Sequence, residues 1–214
     1  MTLYKTQLGP IQTNCYVLCD DAKNAAVIDP GADGNKVHAL LQKHGLTPRL
    51  ILLTHGHFDH IGGIMTLKKH WADLPVVMSE HDVPLLARAA RLPAVSMYAD
   101  PADYEGLTAD RTVHEGDVVT VGDLSFTVMD TPGHTHGGIC YLCGEYMFSG
   151  DTLFCLSVGR TDLEGGDYAT LMRSIKRLAA LKPNYIVLPG HDQSSTLDEE
   201  RRCNPYMLEA VKCF

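Results

Sequence analysis

No stretch of this 214-residue sequence approaches the roughly 20 consecutive apolar residues that cross a bilayer. The opening Met1-Thr2-Leu3-Tyr4-Lys5 also lacks the apolar core of a secretory signal. A cytoplasmic protein with no membrane partner is therefore expected. Basic residues are scarce, 18 Lys and Arg against 26 Asp and Glu, and the net charge is -8 with histidine neutral. A chain short of clustered cations is poorly suited to a phosphate backbone, so nucleic acid is not expected as a partner. Two bound divalent cations would move that sum by about +4. The seven cysteines are odd in number and scattered, and a chain this long needs no covalent staples, so free thiols are expected. No close internal repeat is present.

What the sequence does have is an ordinary globular composition, 45% hydrophobic and 21% charged, enough for a sizeable core in one domain over residues 1–214. Strands are expected at Ile11–Cys19, Ala25–Asp29, Leu50–Thr54 and Pro75–Met78, and a hairpin at Val118–Met129 around Gly122-Asp123. Further strands are expected at Ile139–Cys143, Tyr146–Phe148 and Tyr185–Leu188. Helical spacing marks Asp33–His44, Ile61–Trp71, Glu80–Ala90, Tyr168–Leu181 and Leu197–Phe214, the last interrupted at Pro205. Leu92–Asp110 keeps no steady period and reads as a surface excursion that shapes a pocket. Strands and helices alternate through each half, which suits two sheets packed face to face with helices outside.

One stretch stands apart. Thr54-His55-Gly56-His57-Phe58-Asp59-His60 places three histidines and an aspartate directly after a buried strand. On an extended segment alternate residues point to one side, so His55 and His57 can hold one ion together. Asp59 and His60 follow as the chain turns into a helix and can begin a second site. A site with an open position wants three protein ligands, and a two-ion site wants a bridging carboxylate. His134, Asp151 and His191 are the candidates, each directly after a glycine at a strand end: Gly133, Gly150 and Gly190.

The pattern His55-x-His57-x-Asp59-His60 with later His134, Asp151 and His191 resembles the metallo-β-lactamase superfamily over nearly the whole chain. Pro189-Gly190-His191, Ser195-Thr196-Leu197, Glu200-Arg201-Arg202 and Asn204-Pro205 resemble its glyoxalase II-like branch, as do Gly150-Asp151-Thr152-Leu153-Phe154, Gly159-Arg160 and Gly166-Asp167. The resemblance implies an α/β fold, a four-layer αββα sandwich of two mixed sheets. It implies a first metal at His55, His57 and His134, a second at Asp59, His60 and His191, and Asp151 bridging both. The cofactors implied are two divalent ions, zinc first, with iron or manganese as alternatives. The implied reaction is attack of a metal-bound hydroxide on a small hydroxyacyl thioester, with Asp59 orienting the hydroxide and accepting its proton. A thiolate leaves without a general acid more easily than an amine, since a thiol pKa is about 8.5. The alternatives on the same fold are a persulfide dioxygenase with one iron at His55, His57, His134 and Asp151, and a lactone or β-lactam hydrolase.

Several residues depart from that pattern or compete for roles. Asp192 stands where the family usually has glycine, and His136 where it usually has proline. The chain reaches Phe214 soon after Asn204-Pro205, without the longer helical region that supplies basic residues for glutathione in glyoxalase II, so the resemblance does not extend to glutathione recognition. Arg160 is a candidate for a substrate carboxylate, and Tyr98, Tyr104 and Tyr168 are candidates for the pocket wall. Cys140 and Cys143 have redox spacing, yet in a strand they face opposite sides, so packing is their expected role.

Overall fold

The computed structural model describes residues 1–214. The first sheet runs in spatial order β1 (Thr2–Leu8), β2 (Thr13–Cys19), β3 (Asn24–Ile28), β4 (Thr47–Leu52), β5 (Val76–Ser79) and β6 (Arg111–Val113). β1 to β3 pair antiparallel, and β3 to β6 pair parallel. Parallel neighbours need crossovers. α1 (Gly34–His44) supplies the first, α2 (Phe58–Ile61) and α3 (Ile64–His70) the second, and α4 (Val83–Arg88) with α5 (Pro93–Tyr98) the third.

The second half builds β7 (Val118–Val121), β8 (Leu124–Asp130), β9 (Ile139–Cys143) and β10 (Tyr146–Gly150) as an antiparallel meander. A small hairpin of β11 (Leu153–Phe154) and β12 (Ser157–Val158) follows, then α6 (Tyr168–Ala179). β13 (Ile186–Pro189) pairs parallel with β10 and antiparallel with β14 (Ser195–Thr196), before α7 (Leu197–Cys203) and α8 (Pro205–Cys213).

Side-chain alternation sorts these elements into four layers. Along β2, Cys15, Val17 and Cys19 pack outward with Val37 and Leu41 of α1 and Ile64 and Leu67 of α3. Tyr16 and Leu18 point the other way, into a core between the sheets with Phe126, Tyr141 and Phe148. Beyond the second sheet, Leu171, Met172, Ile175 and Leu178 of α6 pack on Met147 and Val187. Each such buried side chain is worth about 1.5–3 kcal/mol. The fold is the αββα sandwich. Cys140 belongs to the outer layer and Cys143 to the core between the sheets, as their spacing in a strand requires, and all seven thiols are unpaired.

The C-terminal helix breaks where expected, for a visible reason. Asn204 caps α8, its Oδ1 accepting from Tyr206 N and Met207 N, and Pro205 takes the first helical position, where no N–H is needed. Other boundaries differ from the sequence reading. β1 was not anticipated, because only Leu8 of its seven residues is buried. The helix expected across Ile61–Trp71 is two helices, split at Gly62-Gly63. The excursion at 92–110 is not without structure: it holds α5 and a 3-10 turn, Pro101–Tyr104, and it buries Val95, Tyr104 and Leu107 in the outer core. Those apolar residues are too widely spaced to show a helical period. No helix is long and apolar enough to cross a membrane.

Candidate metal centre

β3 and β4 run parallel in one sheet, and β10 and β13 in the other. The chain leaving these strands delivers Asp29, His55–His60, Asp151 and His191 to one edge of the sandwich. The loop after β8 adds His134. A shift in register between Phe148 and Gly150, where β10 pairs with β13, turns Asp151 inward. Gly150 takes φ +49°, and a Cβ there would run into Thr54 Oγ1.

All seven sequence-derived candidates meet. Ligand atoms of His55, His57 and His134 lie within 4.8 Å of one another, as do those of Asp59, His60 and His191, and those of His55, His60 and Asp151. Asp151 stands between the two triads. Its Oδ1 is 3.3 Å from His60 Nε2, and its Oδ2 is 3.5 Å from both His134 Nε2 and His191 Nε2. Asp59 Oδ2 is 3.2 Å from His191 Nε2 and accepts a hydrogen bond from Thr13 Oγ1 at 2.9 Å.

The residues behind the triads fix which ring nitrogen faces inward. A carboxylate only accepts, so His60 Nδ1 donates to Asp29 Oδ2 at 3.0 Å. Thr54 Oγ1 donates to the same oxygen at 2.7 Å, which leaves the hydroxyl oxygen to accept from His55 Nδ1 at 3.1 Å. His134 Nδ1 donates to the Arg160 carbonyl at 2.7 Å. All three histidines thus present Nε2 to the centre, the arrangement imposed on metal-binding imidazoles by acceptors bonded to their other ring nitrogen.

The donor set fits bound cations. His55 Nε2, His60 Nε2 and Asp151 Oδ1 are buried without any hydrogen-bond partner. His57 Nδ1 and His134 Nε2 face each other at 2.9 Å, two nitrogens that need a proton or a cation between them. A Cβ on Gly190 would collide with Asp151 Oδ1, so the cradle admits only glycine there. Electrostatics agree. Burial lowers the His60 pKa, but Asp59, Asp151 and Asp29 outweigh it and hold the ring well above the ordinary range. Burial, then His134, brings His57 down to about 4. Burial would raise Asp59, yet His60 and His191 hold it below the usual carboxylate range. The centre therefore keeps ionised carboxylates and demands positive charge beside them.

A family profile described as the metallo-beta-lactamase superfamily matches residues 8–191, a span containing all seven residues. The chain belongs to the metallo-β-lactamase superfamily. It is 35% identical over 200 residues to the hydroxyacylglutathione hydrolase GloC of Haemophilus influenzae, covering 92% of this chain and 93% of that one. The crystal structure of BLEG-1, a B3 metallo-beta-lactamase, matches with a TM-score of 0.87 and 36% identity, covering 96% of this chain and 99% of that one. That of TTHA1623 in a di-iron-bound form matches with a TM-score of 0.85 and 40% identity, covering 95% and 99%. Members of this superfamily are in general metallo-hydrolases.

A cavity lies over the donor set. A volume of about 390 Å³ opens above His57, Asp59, His134, Asp151 and His191. Ile11, Phe58, Leu85 and Leu92 form apolar wall, and Arg88, Arg160 and Glu164 bring charge. Arg88 is paired with Glu164 at 2.6 Å, and Arg160 with Asp162 at 2.7 and 2.6 Å. Tyr98, Tyr104 and Tyr168 do not line this cavity. Tyr104 is buried with its hydroxyl against the Gly62 position, and Tyr168 bonds Glu209 on α8.

Sequence reasoning missed Asp29 and Asp82. Both are buried carboxylates at the ends of strands of the first sheet, Asp29 after β3 and Asp82 in the 3-10 turn after β5. Asp29 directly follows a buried strand, although Pro30-Gly31 gives it a turn reading, and Asp82, three residues past the end of β5, carried no such signal. Asp192, where glycine was expected, takes φ +63°, the left-handed conformation that favours glycine and tolerates aspartate. Its carbonyl accepts from Asn14 Nδ2 and Lys5 Nζ at 3.0 and 3.1 Å, which holds the turn beside His191. His136 is exposed and packs beside Gly165 at the rim.

Proposed function

We propose that this chain is a hydrolase that holds two divalent cations and cleaves small hydroxyacyl thioesters. The observation that carries the reading is the meeting of two triads on either side of Asp151. His55, His57 and His134 would hold one ion, Asp59, His60 and His191 the other, and Asp151 both. The similarity to a hydroxyacylglutathione hydrolase supports the thioester. When bound, such ions lower the pKa of water to about 7 and polarise a carbonyl oxygen.

The chain's own groups account for the remainder. Asp59 lines the cavity with an ionised carboxylate, one oxygen of which is held by Thr13. It orients the attacking water and accepts its proton. The C–S bond then breaks, and the thiolate departs without a general acid because its conjugate pKa is about 8.5. Apolar wall from Phe58, Leu85 and Leu92 excludes bulk water from the acyl group. Arg160 stands at the cavity wall, where a substrate carboxylate would compete with Asp162 for its guanidinium. Zinc is the proposed ion, and the mixed nitrogen and oxygen donors also suit iron or manganese.

A single iron at His55, His57, His134 and Asp151 would leave Asp59, His60 and His191 converged with no ion to hold. That second triad favours two ions. The test is turnover of a thioester panel including S-lactoylglutathione, beside a β-lactam and a lactone, on protein of measured metal content. The expected result is two ions per chain and hydroxyacyl thioesters preferred. Asp59→Asn should lower kcat about 10²–10⁴-fold, the usual range for a positioned proton acceptor. Preference for the lactam or lactone, or one iron per chain with oxygen consumed, would overturn the reading.

A further inference from the structure

Asp82 is fully buried and forms no ion pair with any lysine or arginine. Its carboxylate instead takes three hydrogen bonds. Gly56 N–H donates to Oδ2 at 2.9 Å and Thr135 Oγ1 to the same oxygen at 2.8 Å. Gly137 N–H donates to Oδ1 at 2.7 Å. Gly56 lies between His55 and His57, and Thr135 directly follows His134. All three donors therefore flank the first histidine triad, on two loops that leave different sheets. No donor comes from the Asp151 or His191 loops. The fit is close, since a Cβ on Gly137 would lie 2.6 Å from Asp82 N and 2.8 Å from Asp82 Oδ1.

We propose that Asp82 is a positioning residue that clamps the His55, His57 and His134 side of the centre and not the Asp59, His60 and His191 side. The inference rests on the two-ion reading above. The opposite side has its own supports: Asp29 holds His60, and Thr13 holds Asp59. Asparagine at position 82 would keep the shape and fail the chemistry. Its amide offers one acceptor and one donor group where three donors converge on two oxygens, so one backbone N–H must face another donor. Loss of a carboxylate that positions metal ligands lowers metal affinity about 10–100-fold.

The experiment is a titration of zinc against a competing chelator. It compares wild type, Asp82→Asn and Thr135→Val, each alone and in His134→Ala and His191→Ala backgrounds. Wild type should take two ions. Asp82→Asn should keep one at wild-type affinity and hold the other about 10–100-fold more weakly. In the His191→Ala background, whose remaining ion sits on the clamped side, Asp82→Asn should weaken that ion by the same factor. In the His134→Ala background it should change nothing. Thr135→Val removes one donor of three and should act in the same direction by less, which also carries the comparison if Asp82→Asn does not fold. Equal weakening in both backgrounds, or no weakening in either, overturns the assignment. Wild type that binds no zinc removes the two-ion reading and this inference with it.

Discussion

Substituting Asp29 tests how the protein decides which nitrogen each histidine presents. Asp29 is 2% exposed and accepts from three groups: Thr54 N–H at 2.8 Å, Thr54 Oγ1 at 2.7 Å and His60 Nδ1 at 3.0 Å. Asp29→Ala strands the Thr54 N–H and the His60 Nδ1–H, while the Thr54 hydroxyl can turn to His55. Two stranded donors cost about 2–6 kcal/mol at 1–3 each. Asp29 also sits at φ +50°, where alanine adds about 1–2 kcal/mol of strain that aspartate largely avoids. The sum is about 3–8 kcal/mol, a large share of the 5–15 kcal/mol that holds a typical domain folded.

Asp29→Asn separates stability from chemistry, because the amide has two ways to sit. With its NH₂ toward Thr54 N–H, two donors face each other and stability falls by about 1–3 kcal/mol. With its NH₂ in the Oδ2 position, His60 must accept at Nδ1 and so carries its proton on Nε2. Thr54 then accepts from the amide and turns its own proton toward His55 Nδ1, which moves the His55 proton to Nε2 as well. Two donors of the centre are lost without a change of shape. Zinc affinity then drops about 10–100-fold, as it does when other groups that orient metal ligands are lost. Urea unfolding in excess chelator reads the first cost, and zinc competition reads the second. A variant with wild-type urea midpoint in chelator and wild-type zinc affinity would refute the reasoning.

Gly150→Ala should destabilise the fold by about 2–5 kcal/mol, combining a left-handed alanine with overpacking against Thr54. Urea unfolding in chelator measures it, and a loss below about 1 kcal/mol would show that the strand end relaxes freely. Asp110 gives a pH prediction away from the centre. Burial would raise it, but hydrogen bonds from Lys68 and Val76 N–H hold it below 3.8. Its contribution is therefore complete above the unfolded value and is lost as pH falls through the lower folded value. Asp110 is 42% exposed, so that contribution is about 1 kcal/mol or less. Asp110→Asn should flatten acid unfolding below pH 3.8, and an unchanged acid limb would disprove the assignment.

The layers and the seven converging residues were legible for one physical reason. A buried strand reads as an apolar run, and a histidine or aspartate directly after it must sit at the sheet edge. Leu50–Leu53 before His55, and Ile186–Leu188 before His191, show this without any pairing information. β1 was illegible because a half-exposed edge strand has no apolar run to read. α5 was illegible because its one buried residue, Val95, sets no period.

The acceptors behind the centre were hidden for a different reason. Asp29 before Pro30-Gly31 reads as turn chemistry, and Asp82 before Val83-Pro84 reads as a helix start. Both descriptions fit local sequence, and neither says that Asp29 turns inward to donors 25 and 31 residues away, or Asp82 to donors 26, 53 and 55 residues away. The cavity wall is hidden in the same way, since Arg88 and Glu164 meet across 76 residues. Candidate metal ligands are recognisable by type because few side chains bind cations. Their supports are ordinary aspartates, distinguished only by what the fold brings to them. Chemistry is therefore written in residue identity, while geometry and substrate choice are written in contacts between distant loops.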